Sequence, residues 1–125
     1  LPPEKYQAED GTIILVGKNN LQNEQVSFKL SRRGDLWFHV KDIPGSHVLI
    51  TGNANPSDET ITFAGELAAY FSKARYSNLV QVDVLDVKKL HKPTGTAPGF
   101  VTYDREKTIR VTPDESVIKS RKIGK

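Results

Sequence analysis

The sequence predicts an α+β fold, a mainly antiparallel sheet with one long helix packed on one face and room for a second short helix. Three observations predict it. Apolar alternation on either side of a Pro-Gly pair indicates a hairpin at 35–51, apolar residues recur at helical spacing over 57–75, and β-branched alternation returns at 80–87. Short strands joined by turns, with a single long periodic segment, favour this class.

The part of the chain before the hairpin is the least regular. Residues 1–9 hold two prolines and no periodicity, which predicts a linker or loosely attached arm. A strand is expected at 12–16, followed by a turn at 17–20. The next segment is ambiguous, because its alternate apolar residues suit a strand while Asn23 as an N-cap and Gly34 as a terminator suit a short helix. We favour the helix.

The hairpin gives the strongest chemical signal. Alternation places Asp35, Trp37 and His39 on one face of its first strand and the apolar residues between them on the other. The second strand, at 48–51, brings His47 back beside the first. Two histidines and an aspartate could form a metal or hydrolytic cluster if the register brought them together, but such groups are more often hydrogen-bonded structural clusters. We therefore expect no metal site, with Asp35 and His39 as structural organisers covered by Trp37.

The next segment predicts the long helix. Ser57 or Asp58 can cap its N-terminus. Small residues such as Gly65 allow a close approach to the sheet. Lys73 and Arg75 are expected in the last turn, where cations interact favourably with the terminal carbonyls.

The second half of the chain predicts three more strands and a basic loop. A half-exposed strand is expected at 80–87. Residues 88–99 form a basic loop punctuated by proline and glycine. Strands at 100–103 and 108–111 are joined by a turn.

Length and composition limit the classes that remain. A chain of 125 residues fits one domain, which we place at 10–112, with 113–125 as a basic C-terminal tail. The absence of cysteine excludes disulfides, thiolate catalysis and cysteine-built metal centres. No nucleophile–base pattern or glycine-rich phosphate loop is apparent, so we expect neither enzymatic activity nor a cofactor. No signal peptide or apolar run of membrane-spanning length is visible, so no membrane insertion is expected. The first residue is Leu1 and methionine is absent, which predicts a fragment of a longer protein.

Charge is unevenly distributed along the chain. Through residue 70 there are six Lys/Arg against nine Asp/Glu, a balance of −3, and from residue 71 onward twelve against six, a balance of +6. A basic half of this kind is either a footprint for a phosphate backbone or a solvated face with a basic tail. On the first interpretation, cations contact phosphates and aromatic side chains stack with unpaired bases. The candidate residues are Lys73, Arg75, Lys88, Lys89 and Lys92 for phosphates, with Trp37, His39 and His47 as a stacking or hydrogen-bonding face.

Several motifs together resemble the NFACT-R domain, a proposed RNA-binding domain. It is found in bacterial fibronectin/fibrinogen-binding proteins and in eukaryotic and archaeal ribosome quality-control factors. Family members often have Arg where Lys18 stands, which keeps the charge but loses the planar fork. The motifs lie within the predicted domain at 10–112. Besides Asp10-Gly11 they are Gly17-Lys18-Asn19-Asn20 with Asn23-Glu24, Asp35-Leu36-Trp37-Phe38-His39, Pro44-Gly45-Ser46-His47, the segment 67–75, and Lys92-Pro93-Thr94-Gly95 with Pro98-Gly99.

The resemblance implies a function. It implies a non-catalytic RNA-binding module of a ribosome quality-control factor, which contacts ribosomal RNA and tRNA in the large subunit and assists C-terminal tailing of stalled nascent chains. The expected location is the cytoplasm, with cell-surface display left open. The family also implies an alternative, an adhesin module that binds host fibronectin or fibrinogen at the bacterial surface.

Overall fold

A computed structural model describes residues 1–124, which form a seven-stranded antiparallel sheet with helices on both faces. The strands are β1 (Glu4–Gln7), β2 (Ile13–Val16), β3 (Leu36–Val40), β4 (Val48–Thr51), β5 (Val80–Asp86), β6 (Lys107–Val111) and β7 (Lys122–Ile123), in the order β6-β5-β3-β4-β2-β1-β7. The helices are α1 (Asn20–Glu24), which continues as a π-helical turn over Gln25–Lys29, then α2 (Asp58–Tyr70) and α3 (Glu115–Ser120), with a 3₁₀ turn at Val87–Lys89. The prediction of an antiparallel α+β fold with one long helix and a second short one is confirmed.

The ambiguous segment after β2 is helical, as favoured, but it begins earlier than expected. Asn19 is the N-cap, and its side-chain oxygen accepts a hydrogen bond from the Gln22 amide at 2.9 Å. Asn23, the predicted cap, lies inside the helix, where its side-chain oxygen accepts the His47 amide at 3.0 Å. The sequence contains two asparagines at plausible capping positions, and tertiary contacts decide between them.

The first and last strands of the described residues, β1 and β7, lie side by side at one edge of the same sheet. β1 pairs with β2 on one side and with β7 on the other. Tyr6 in β1 and Ile118 in α3 are buried, with 3% and 1% of their surface exposed. The interpretations of 1–9 as a loose arm and of 113–125 as a tail are therefore wrong for these elements, because one deeply buried residue in a short polar segment leaves no periodic signal. Lys125 lies outside the described residues.

Apolar cores cover both faces of the sheet. Phe38 and Val40 of β3 belong to the core that includes α2 and α3. Trp37 points the other way and packs with Val26 of the π-helical turn. The face of β3 that carries Trp37 therefore packs into a second core. The buried residues that complete this second core are Leu15, Leu49, Leu85, Val87 and Leu90.

Strand β5 lies between β3 and β6 and is mostly buried, so the prediction of a half-exposed strand is wrong. Its Asp83, which the alternating pattern placed towards solvent, is 3% exposed. The carboxylate is compensated by Lys41 Nζ at 2.7 Å and by the Tyr103 hydroxyl at 2.6 Å. A buried charge with such partners is tolerated.

Helix α2 has the expected cap and packing. Ser57 Oγ accepts the Thr60 amide at 3.1 Å. A Cβ added to Gly65 would lie 2.7 Å from Ile109 Cδ1, which confirms the close approach of helix and sheet. The helix ends at Tyr70, so Lys73 and Arg75 lie beyond its last turn.

The predicted strand at 100–103 is absent, since its backbone makes only an isolated bridge between Thr102 and His91. This segment folds back over the second core, where Val101 and Tyr103 pack as side chains. The partner strand expected at 108–111 is present as β6.

Candidate functional site

Three turns that are distant in sequence meet in one cleft of about 370 Å³. They are 17–20 after β2, 44–46 after β3, and 71–75 after α2. The backbone fixes their arrangement, because the Ser46 amide donates to the Phe71 carbonyl at 3.0 Å and Gly45 bridges to Ser72. Three of the motifs that resemble the family thus form a single site.

Two glycines permit this convergence. A Cβ on Gly45 would lie 2.9 Å from Val40 Cγ1 and 3.0 Å from Ser72 Cβ. A Cβ on Gly17 would lie 2.1 Å from the Asn23 side-chain oxygen, the same oxygen that holds the His47 amide. Any larger residue would push the turns apart, so the shape of the cleft depends on both positions.

The cleft is cationic. Lys18, Lys73 and Arg75 line it, and among the described residues no Asp or Glu does. Lys18 Nζ lies 3.6 Å from the centroid of the Phe71 ring, and the Arg75 guanidinium lies 4.2 Å from that of Tyr70. Burial, with a smaller contribution from the Arg75 charge, lowers the pKa of Lys18. An anionic ligand would restore favourable electrostatics at these groups.

Arg75 is also a structural residue. Its Nε donates to the Tyr70 carbonyl at 2.8 Å, one of the carbonyls left free where α2 ends. The contact with the terminal carbonyls that was expected of this cation is therefore present, although Arg75 lies outside the helix. Lys73 is exposed and lines the cleft.

The conspicuous residues of the hairpin form a buried polar cluster. Trp37 is 0% exposed, and its indole Nε1 donates to Ser27 Oγ at 2.9 Å. Ser27 Oγ lies 2.7 Å from His47 Nδ1. The Ser27 hydroxyl accepts from the indole and keeps its own proton, which it can donate to Nδ1 of a neutral His47 protonated at Nε2. Burial, reinforced by the neighbouring His39, lowers the pKa of His47 to about 3.

This geometry corrects the predicted stacking face. Trp37 and His47 are buried and cannot stack with a base, so they support the fold. His39 is half-buried, with its ring 5.9 Å from Trp37 at 11° and 5.6 Å from His47. The register therefore brings the two histidines together, and burial lowers the pKa of His39 as well.

Asp35 is separated from the histidines and lies at the start of β3. Its carboxylate accepts the Arg32 amide at 2.9 Å, the turn contact expected of a structural organiser. Within residues 1–124, no group of three or more His, Asp or Glu side chains is arranged to hold a metal ion.

The predicted phosphate-binding cations do not form one surface. Lys88 and Lys89 are exposed in the 3₁₀ turn, whose Val87 amide bonds to the Asp35 carbonyl. They are therefore at the opposite end of β3 from the cleft. Lys92 is occupied locally, because its Nζ lies 3.3 Å from the Glu24 carboxylate and 3.2 Å from the Phe100 carbonyl.

Sequence reasoning missed Lys18 as a site residue. The signal was present, since a lysine flanked by Gly17 and two asparagines is a cation in a turn, where backbone approaches a ligand easily. What the sequence did not contain was the contact of this turn with Phe71, which depends on the fold.

Fold and cleft define the class: a small α+β module with one cleft that is lined by cationic turns. A family model described as the NFACT protein RNA binding domain matches residues 4–103. The chain belongs to this NFACT-R family, as its motifs predicted.

Curated relatives share most of this chain. It is 70% identical over 122 residues to the Rqc2 homolog RqcH of Streptococcus suis and 50% identical over 120 residues to that of Bacillus subtilis. It is 36% identical over 98 residues to the ribosome quality control complex subunit 2 of Schizosaccharomyces pombe. These matches cover 97%, 95% and 72% of this chain but only 22%, 21% and 9% of the relatives. The chain thus spans about a fifth of its bacterial relatives.

A solved structure has the same fold. It is described as the C-terminal of the fibronectin/fibrinogen-binding protein from Streptococcus suis, with 68% identity and a TM-score of 0.96. The similarity covers 98% of this chain and 50% of that one. Across residues 1–124, the helices are all too short or too polar to cross a membrane.

Proposed function

We propose that this chain is a non-catalytic RNA-binding module of a ribosome quality-control factor, in which it contacts ribosomal RNA and tRNA in the large subunit while stalled nascent chains are extended at their C-terminus. The family description and the names of the curated relatives support this function. The observation that carries it is the convergence of Lys18, Lys73 and Arg75 in one cleft without a carboxylate.

The cleft suits a phosphate backbone. Its cations come from two different turns, so together they can follow successive phosphates. The aromatic rings under Lys18 and Arg75 hold both side chains in place, which reduces the entropy cost of binding. Affinity should depend steeply on salt, because each neutralised phosphate releases counterions.

Lys88 and Lys89 provide a second contact region in this proposal. They lie at the far end of β3 from the cleft. This strand has five residues and is therefore about 17 Å long, which is roughly the separation of the two regions. An RNA that contacts both ends therefore has to extend along the sheet, whereas a short RNA would engage one end alone.

Charge reversal at the cleft tests the proposal. Lys73→Glu should weaken binding of a fluorescein-labelled tRNA and reduce the slope of log affinity against log salt by about 0.7–0.9 for each phosphate that is no longer neutralised. Lys73 is exposed and makes no ion pair within residues 1–124, so the variant should fold normally. Fluorescence anisotropy over a range of salt concentrations measures both quantities.

Two further variants make the experiment specific. Lys107→Glu produces the same charge change on edge strand β6, outside the cleft, and should leave the slope nearly unchanged. The double variant Lys88→Glu, Lys89→Glu tests the second region. If the wild-type chain does not bind tRNA, or if Lys73→Glu and Lys107→Glu behave alike, the cleft is not an RNA site.

A second candidate function is attachment to fibronectin or fibrinogen. The observation that favours it is the description of the similar solved structure. Surface plasmon resonance against both glycoproteins tests it, with an unrelated basic protein as the control for charge alone. Affinity no greater than that of the control would remove this candidate.

A further inference from the structure

A second concavity adjoins the cationic cleft. It has a volume of about 410 Å³, and the two share Pro44 as a common wall. His39, His47, Phe100 and Tyr103 are among the residues that line it, together with one carboxylate, Asp42, which can accept hydrogen bonds from a base. A volume of this size is within the range of small-ligand sites.

The walls of this pocket are aromatic and rigid. Trp37 is also part of the lining, and its ring centroid lies 5.2 Å from that of Tyr103 and 5.9 Å from that of His39. Tyr103 is also fixed by the hydrogen bond from its hydroxyl to Asp83 at 2.6 Å. The rings of His39 and Tyr103 are therefore held in position without a ligand.

Phe100 is the exposed member of the set. Although it is apolar, 51% of its surface is exposed. The loop that carries it is nevertheless fixed, because the Gly99 amide donates to the Glu24 carboxylate at 2.7 Å and Lys92 Nζ donates to the Phe100 carbonyl at 3.2 Å. An exposed aromatic side chain on a constrained loop is a preformed stacking surface. This contact also gives Lys92 a role, which is to fasten the loop.

We propose that this pocket receives an unstacked nucleobase of the RNA whose phosphates lie in the neighbouring cleft, with Phe100 as the stacking ring. Phosphates and bases of a single strand point in different directions from the sugar, so a cationic cleft and an aromatic pocket on either side of Pro44 fit one nucleotide segment. The inference rests on the proposed function and names the RNA element: a single-stranded or flipped-out base.

Phe100→Ala tests the stacking contact. Affinity for a short fluorescein-labelled oligouridylate should fall about 5- to 150-fold, the range for removal of one stacked base. Affinity for a blunt RNA duplex should change little, because its bases are paired. Phe100→Tyr should retain the affinity. Phe28→Ala removes another ring at the surface, outside the pocket, and serves as the control.

An abasic oligonucleotide separates base contact from loop collapse. The wild-type chain should bind an oligomer without bases more weakly than oligouridylate, whereas Phe100→Ala should bind the two almost equally. If Phe100→Ala weakens binding of duplex and single strand alike, or has no effect on either, the pocket is not a base site, although the cleft could still bind RNA. If the variant loses affinity for fibronectin and keeps its affinity for RNA, the pocket binds a protein and not a base. If the wild-type chain binds no RNA, both proposals fail.

Discussion

At the scale of single residues, the hydrogen-bond chain from Trp37 through Ser27 to His47 predicts a pH dependence of stability. The folded-state pKa of His47, about 3, lies below its unfolded value near 6.5. Between these values the unfolded chain binds more protons than the folded one. The free energy of unfolding should therefore fall as pH falls from about 6.5 towards 3, by up to about 1.4 kcal/mol per pH unit from this histidine.

Denaturant unfolding at several pH values checks this slope. His47→Asn keeps an acceptor near the Nδ1 position but cannot take up a proton, so its slope should be smaller. The pKa of His39 is lowered for the same reason, burial, and so a residual slope of the same sign should remain. Equal slopes in wild type and His47→Asn would show that His47 does not titrate between the two states.

Residue identities predicted the chemistry of this cluster but not its location. The strand alternation correctly grouped Trp37 with His39, and the hairpin correctly returned His47 to them. The sequence could not show that Ser27 contacts both Trp37 and His47, because Ser27 lies in the segment that could be read as either strand or helix. Burial of the tryptophan follows from that helix, whereas Phe100 is 51% exposed, which local alternation did not predict.

At the scale of elements, α3 and β7 are structural parts of the domain. Ile118→Ala should lower the free energy of unfolding by about 2–5 kcal/mol, because a side chain that is 1% exposed leaves a cavity. The neighbouring Val117 is 40% exposed, and Val117→Ala should change the stability by about 0.5 kcal/mol or less. Urea denaturation of both variants measures the difference. Similar values for the two would mean that α3 is detached from the core in solution.

Long elements were predictable from the sequence, and short ones were not. The thirteen residues of α2 give several turns of periodicity and a recognisable cap at Ser57. β1 and β7 have four and two residues, too few for any period to be visible. Their strand state comes from pairing with each other and with β2, a long-range effect that local patterns do not contain.

At the scale of the whole molecule, the fold rather than the order of residues along the chain decides which charged side chains lie together. The basic half of the chain contributes both Lys73 at the cleft and Lys88 at the far end of β3. Lys18, from the half with net negative charge, completes the cleft. Counting charges along the chain therefore predicted a basic surface but could not show that Lys18 lies beside Lys73 and Arg75.

The pairing of β1 with β7 has a consequence for engineering. Lys5 and Ile123 are direct partners, so their Cα atoms lie about 5 Å apart. A short linker can therefore join the two ends into a closed ring, and the ring can be reopened in the surface loop 52–56. Such a circular permutant should keep the fold and the tRNA affinity, as circular dichroism and anisotropy would show. A permutant that fails to fold would mean that β1 and β7 cannot pair when a short linker joins them.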